Sequence, residues 1–110
     1  SYKWQGSSYA PNGGSVVVVA ITNESDAPLP ADALEPKLRY NVNSTSNPDM
    51  KDAKFIPIAE EAGVDIVGLD RPLGPGATVN AKFPFDVSTG NLWDAEFTIG
   101  NVTFKGNLNN

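Results

Sequence analysis

Glycine and proline cut this chain into pieces too short for packed helices. Ten Gly and nine Pro are spread over 110 residues, and these two residue types interrupt regular structure most strongly. Between the breaks, several pieces alternate apolar and polar residues with period two, the pattern of half-buried strands. Residues 2–9 carry Tyr2, Trp4 and Tyr9 and read as a first strand at a sheet edge. The turn at 11–14 (PNGG) follows, because Asn and Gly tolerate positive φ. Residues 15–22 (SVVVVAIT) are β-branched and apolar on both faces, so that strand belongs in the middle of a sheet.

Further strands follow at short intervals. Residues 34–42 place Leu34, Pro36, Leu38, Tyr40 and Val42 on an inner face and Glu35, Lys37, Arg39 and Asn41 on a wet one. Pro36 puts the start of that strand at an edge or outside the ladder. Residues 43–49 read as a polar loop, 53–58 and 64–69 as short strands, and 31–34 and 59–62 as single helical turns, the second stopped by Gly63. After the tight turn 73–76 (LGPG), residues 77–87 send Val79, Ala81, Phe83, Phe85 and Val87 inward. Residues 95–99 and 102–104 form a final pair joined by Gly100-Asn101, which suits a II′ hairpin, and the tail 106–110 is polar. Seven to eight short strands within one domain of 110 residues predict an all-β antiparallel sandwich, with a small barrel as the structural alternative.

Composition then removes whole classes of function. The chain has no Cys and no His, which excludes a disulfide framework, Cys or His nucleophiles and bases, and most metal chemistry. No Ser-x-x-Lys occurs, and Gly74-Pro75-Gly76 lacks the donors and the Lys of a phosphate loop. Paired carboxylates for glycoside hydrolysis would have to come from distant strands, and so small a domain offers little cleft for a polysaccharide. We therefore expect no enzyme, no cofactor and no resident metal. A net charge of −5 argues against nucleic acid, whose binding depends on Lys and Arg meeting phosphates. The longest apolar run, residues 16–21, is of strand length and far below the roughly 18 residues that span a bilayer.

Two stretches carry a family resemblance. Residues 16–29 run apolar strand, Thr22-Asn23, a polar pair, a small residue and Pro28-Leu29. Residues 73–79 (LGPGATV) lead into a strand ending Phe83-Pro84-Phe85-Asp86-Val87. Together they resemble small immunoglobulin-like domains of secreted proteins and lipoproteins of Gram-positive bacteria, described as an immunoprotective extracellular fold. The resemblance covers residues 15 to 105, and the polar insert between Asn41 and Lys51 departs from its tightest examples. It implies an immunoglobulin-like sandwich held outside the membrane, in a binding or structural role, and names no ligand. The first residue is Ser1 rather than Met, so we expect a processed chain, with lipid anchoring through a preceding segment as one route to the envelope.

Candidate binding residues are then few. Tyr2, Trp4, Tyr9 and Trp93 are the aromatics fit for stacking a sugar, with Tyr2 and Trp4 on one strand face by parity, although aromatics at alternate strand positions more often fill a core. Loop carboxylates at Asp49 and Asp52, at Glu60, Glu61 and Asp65, and at Asp70 are the candidates for calcium in an adhesin module, which takes six to eight oxygen ligands. A first-strand Lys3 with Asn101 or Asn107, helped by Asp94 or Glu96, is a candidate set for an isopeptide cross-link, although exposed Lys and Asn are the default at strand ends. Sequons stand at Asn23, Asn43 and Asn101. The expected partner is a protein or a glycan, met by loops or a sheet edge.

Overall fold

The computed structural model describes residues 1–11, 13–43, 49–69 and 71–109. The middle of the 11–14 turn, most of the 43–49 loop with its sequon, the carboxylate of Asp70 and the last residue of the tail lie outside the described residues.

The chain forms two four-stranded antiparallel sheets packed face to face. Its strands are β1 (Tyr2–Tyr9), β2 (Ser15–Thr22), β3 (Lys37–Asn41), β4 (Met50–Asp52), β5 (Lys54–Phe55), β6 (Thr78–Asp86), β7 (Ala95–Ile99) and β8 (Val102–Gly106). A one-turn helix α1 (Ala59–Ala62) precedes β6, and a 3₁₀ turn (Thr89–Trp93) precedes β7. The sheet orders are β1-β2-β6-β5 and β4-β3-β7-β8. The apolar run of β2 thus lies between two neighbours, and Val17, Val19 and Ile21 join Ala81, Phe83 and Phe85 of β6 in the core.

The two sheets meet on aromatic rings. Phe97 of β7 lies with its ring centroid 5.8 Å from Phe83, 6.0 Å from Phe85 and 6.2 Å from Trp4. All three partners belong to the opposite sheet, and Phe97 is fully buried. Tilted and edge-on ring pairs at such spacing add stabilisation beyond their buried area.

Buried amides close the loops at both poles. Asn23 donates through Nδ2 to the carbonyls of Ala27 and Leu73 and accepts on Oδ1 from the Ser25 amide and hydroxyl. Its own backbone exchanges bonds with Ala77 and Gly76. The two stretches that carry the family resemblance, far apart in sequence, therefore meet at this one residue. Asn41 acts likewise at the other pole, donating to Asp94 Oδ2 and accepting from the amides of Asn43 and Asp49. In this role Asn41 is buried and Val42 is 48% exposed, the reverse of the expected alternation. A polar group can be buried once its hydrogen bonds are met.

Other departures have local causes. The strand expected at 53–58 shrinks to β5 at Lys54–Phe55, preceded by the separate short strand β4, because the chain leaves the second sheet after Asp52 and enters the first at Lys54. The strand expected at 64–69 does not form: Gly68 takes φ +64°, outside extended space, while its N–H donates to the Lys82 carbonyl of β6. Residues 31–34 make a turn, tied by Ala33 N–H to the Pro30 carbonyl, and no helix. The last hairpin turns as expected, with positive φ at Gly100 and not at Asn101.

Proline ends β5. Ile56 N–H donates to the Pro84 carbonyl, so that face of Pro84 points to β5. The return bond would need an N–H that Pro84 lacks, and Pro57 follows at once, where the missing N–H falls on the free edge of the strand. The opposite face of β6 keeps its full ladder with β2.

Phe97→Ala should cost about 3–5 kcal/mol, the range for emptying a buried aromatic site. Urea denaturation of the variant against the wild type measures it, and a loss below about 1 kcal/mol would show that the rings do not join the sheets.

Candidate functional site

The four aromatics singled out from the sequence separate into two pairs with different surroundings. Trp4 lies inside the sandwich rim, with its ring centroid 5.7 Å from Phe104 and against Phe97. Tyr2 covers the β7–β8 turn so closely that a Cβ on Gly100 would sit 2.7 Å from its hydroxyl. Both are half-buried and packed against the core. Tyr9 and Trp93 are different: they are 80% and 45% exposed. Tyr9 ends β1 beside Ser15, and Trp93 ends the 3₁₀ turn that follows β6, so both sit at the pole opposite Tyr2.

The acidic candidates are dispersed or paired. Asp52 lies 3.6 Å from Arg39, and Arg39 also approaches Glu96, which in turn faces Lys105. Asp65 receives a 3.0 Å hydrogen bond from Lys82. Among the described residues no group of three or more acidic side chains converges on one point. The isopeptide set is not assembled either. Lys3 is exposed, with its strand neighbours Tyr2 and Trp4 turned to the core, and Glu96 lies on the outer side of the other sheet, beside inward Phe97. Asp94 is engaged by Asn41. The sequon at Asn23 is buried with both amide hydrogens donated, whereas Asn101 is exposed at the tip of its hairpin.

A concave site appears where the sequence offered no motif. Between the 31–35 segment and the 64–69 segment, a cleft of about 410 Å³ reaches down to Phe83, walled by Leu34, Phe55, Val67 and Leu69, with Asp32 at its edge. It lies beside β5, the strand that Pro84 and Pro57 cut short. No strand forms at 64–69, and the cleft opens beside that segment. The volume falls within the roughly 300–1,000 Å³ of small-ligand pockets, and an apolar wall with few polar groups is their usual make-up.

Among the described residues every buried side-chain nitrogen and oxygen has a hydrogen-bond partner. Asp65 is held below its ordinary value of 3.8, first by the Lys82 hydrogen bond, then by the Ile66 amide and the Lys82 charge. Both side chains are largely exposed, and an ion pair of this kind is an ordinary cause of such a shift. No helix of the described residues is long and apolar enough to cross a membrane. No family model, curated protein or solved structure matches the chain.

Because folding lowers the Asp65 value, the contribution of the pair is present above the unfolded value and fades as pH falls through the folded one. An NMR titration of Asp65 should give a midpoint below 3.8 in the wild type. Lys82→Met should raise that midpoint towards the ordinary value; an unchanged midpoint would mean that Lys82 does not hold the carboxylate.

Proposed function

We propose that this chain is a non-catalytic, extracytoplasmic binding or structural module of a bacterial secreted or surface protein, built on an immunoglobulin-like frame. The strand order is the observation that carries the reading. Immunoglobulin sandwiches place the first, second, fifth and fourth strands in one sheet and the third, sixth and seventh in the other. With β4 counted as an added strand beside the third, the order β1-β2-β6-β5 facing β3-β7-β8 supports that frame. Satisfied buried polar groups and a lone surface ion pair as the resolved carboxylate shift support recognition over catalysis. The frame needs no disulfide or metal, because Val, Ile, Leu and Phe supply its core. Attachment to the envelope, where it occurs, would come from a lipid-bearing segment outside this chain.

The test of location is protease treatment of intact cells of the source organism, followed by immunoblotting. Loss of the protein from intact cells is the expected result, and full protection with release only after lysis would overturn the extracytoplasmic reading.

A carbohydrate-binding module is the second reading, favoured by the exposed aromatics at one pole. The exposure of Tyr9 and Trp93 shifts the stacking surface away from Trp4 and Tyr2. On a glycan array, any specific hit should lose about tenfold or more in affinity with Tyr9→Ala or Trp93→Ala, since base or sugar stacking on one ring is worth about 1–3 kcal/mol. It should survive Tyr2→Phe. An array without hits would remove this second reading.

A further inference from the structure

We propose that the segment after β8, residues 107–109, is a strap that lifts and closes as a unit while the two sheets stay packed. Its position sets how much apolar surface the chain presents beside Trp93. The proposal goes beyond the binding-module reading and does not rest on it.

The strap has a single anchor. Leu108 is 4% exposed and belongs to the core cluster, whereas Asn107 and Asn109 on either side of it are exposed. Among the described residues, two hydrogen bonds tie its backbone to the sandwich. Leu108 N–H donates to the Leu92 carbonyl, and the Ser7 hydroxyl donates to the Leu108 carbonyl. A further bond, from Asn109 N–H to Asn107 Oδ1, is internal to the segment. Neither outside partner lies in the middle of a sheet: Leu92 belongs to the 3₁₀ turn, and Ser7 to the edge strand β1. Against one apolar side chain and two hydrogen bonds stands the backbone freedom that each ordered residue loses. Gly106 supplies the hinge. It takes φ +115°, and a Cβ placed on it would meet nothing within 4 Å, so the chain there can turn without a clash. A segment with so few ties opens at a free energy well below that of the whole fold.

Lifting the strap has a defined result. It vacates a leucine-sized hollow at the end of the core and frees the Leu92 carbonyl and the Ser7 hydroxyl. Leu92 is fully buried while the strap is down, and it directly precedes the exposed Trp93. The open form therefore adds Leu92 to the apolar groups at the pole of Tyr9 and Trp93, and the closed form withholds it. A limit on energy follows. The open form lacks the Leu108 contacts already, so deleting them destabilises the fold by no more than the opening itself requires. Two separate measurements must then agree.

The first is native-state amide hydrogen exchange of the full chain, read by NMR. The Leu108 amide should be at least about a hundredfold less protected than those of Val17 and Val19, which lie in β2 between two strands. Low concentrations of urea should speed exchange at Val17 and Val19 and leave Leu108 unchanged, because a small opening exposes little surface. The second is the melting temperature of Leu108→Ser, which should fall by less than about 10 °C, with amide shifts confined to Ser7, Leu92, Trp93 and the strap. A leucine integral to the core would cost more on such truncation. Exchange at Leu108 as slow as at Val17 and Val19 would overturn the proposal. So would a larger fall in melting temperature, loss of folding included, or shifts spread through both sheets.

Discussion

The fold depends on one packing event, the closure of two sheets around Phe97. An isolated antiparallel sheet has one apolar face to hide, and here each hides its face in the other. Phe97 contributes the centre from one side, while Trp4, Phe83 and Phe85 contribute it from the other. Once the sheets close, the connecting segments are forced to the poles, where their backbone groups need partners. Asn23 and Asn41 supply those partners, one at each pole. The buried amides are therefore a product of the same closure that buries the rings.

Closure is unequal on the two flanks of the sandwich. On the β1–β8 flank, Trp4 and Tyr2 seal the gap, and the Ser7 hydroxyl ties the first strand to the Leu108 carbonyl. On the β5 flank, two prolines stop the ladder and a glycine turns the following segment out of extended space. The core lining is then covered by turns alone. On that flank Leu34, Phe55, Val67 and Leu69 border a cleft where regular pairing fails.

Much of this was legible in the sequence, and the rest failed for definable reasons. The alternation of 77–87 and the β-branched run of 15–22 are long enough to fix inner and outer faces, and both strands stand as read. Residues 53–58 misled because a period of two says nothing about which sheet a residue joins; the crossing at Ala53 is a tertiary event. Residues 64–69 look like a strand by composition, yet Gly68 is free to take a conformation that ends it. Asn41 looked outward because parity treats every amide as wet, while its hydrogen bonds to Asp94, Asn43 and Asp49 make it an inner residue. Tyr2, Trp4, Tyr9 and Trp93 were chosen as a set by residue type, and only the three-dimensional arrangement separates the packed pair from the exposed one. The cleft had no single motif, since its lining comes from four segments distant in sequence. Phe83-Pro84-Phe85 did hold the clue: a proline within a strand implies a missing rung on one side.

The short β5 also bears on how this protein behaves when crowded. Exposed strand edges are templates for joining one molecule to the next, and the first step towards fibres or precipitates is often such a pairing. Here the edges at β4 and β5 are three and two residues long, too short to hold a foreign strand in register by backbone bonds alone. β1 is longer but its register shifts between Trp4 and Gly6, and β8 carries an exposed Lys105. The prolines that cut β5 short thus also leave few backbone groups on that edge for a second copy of the same chain to pair with.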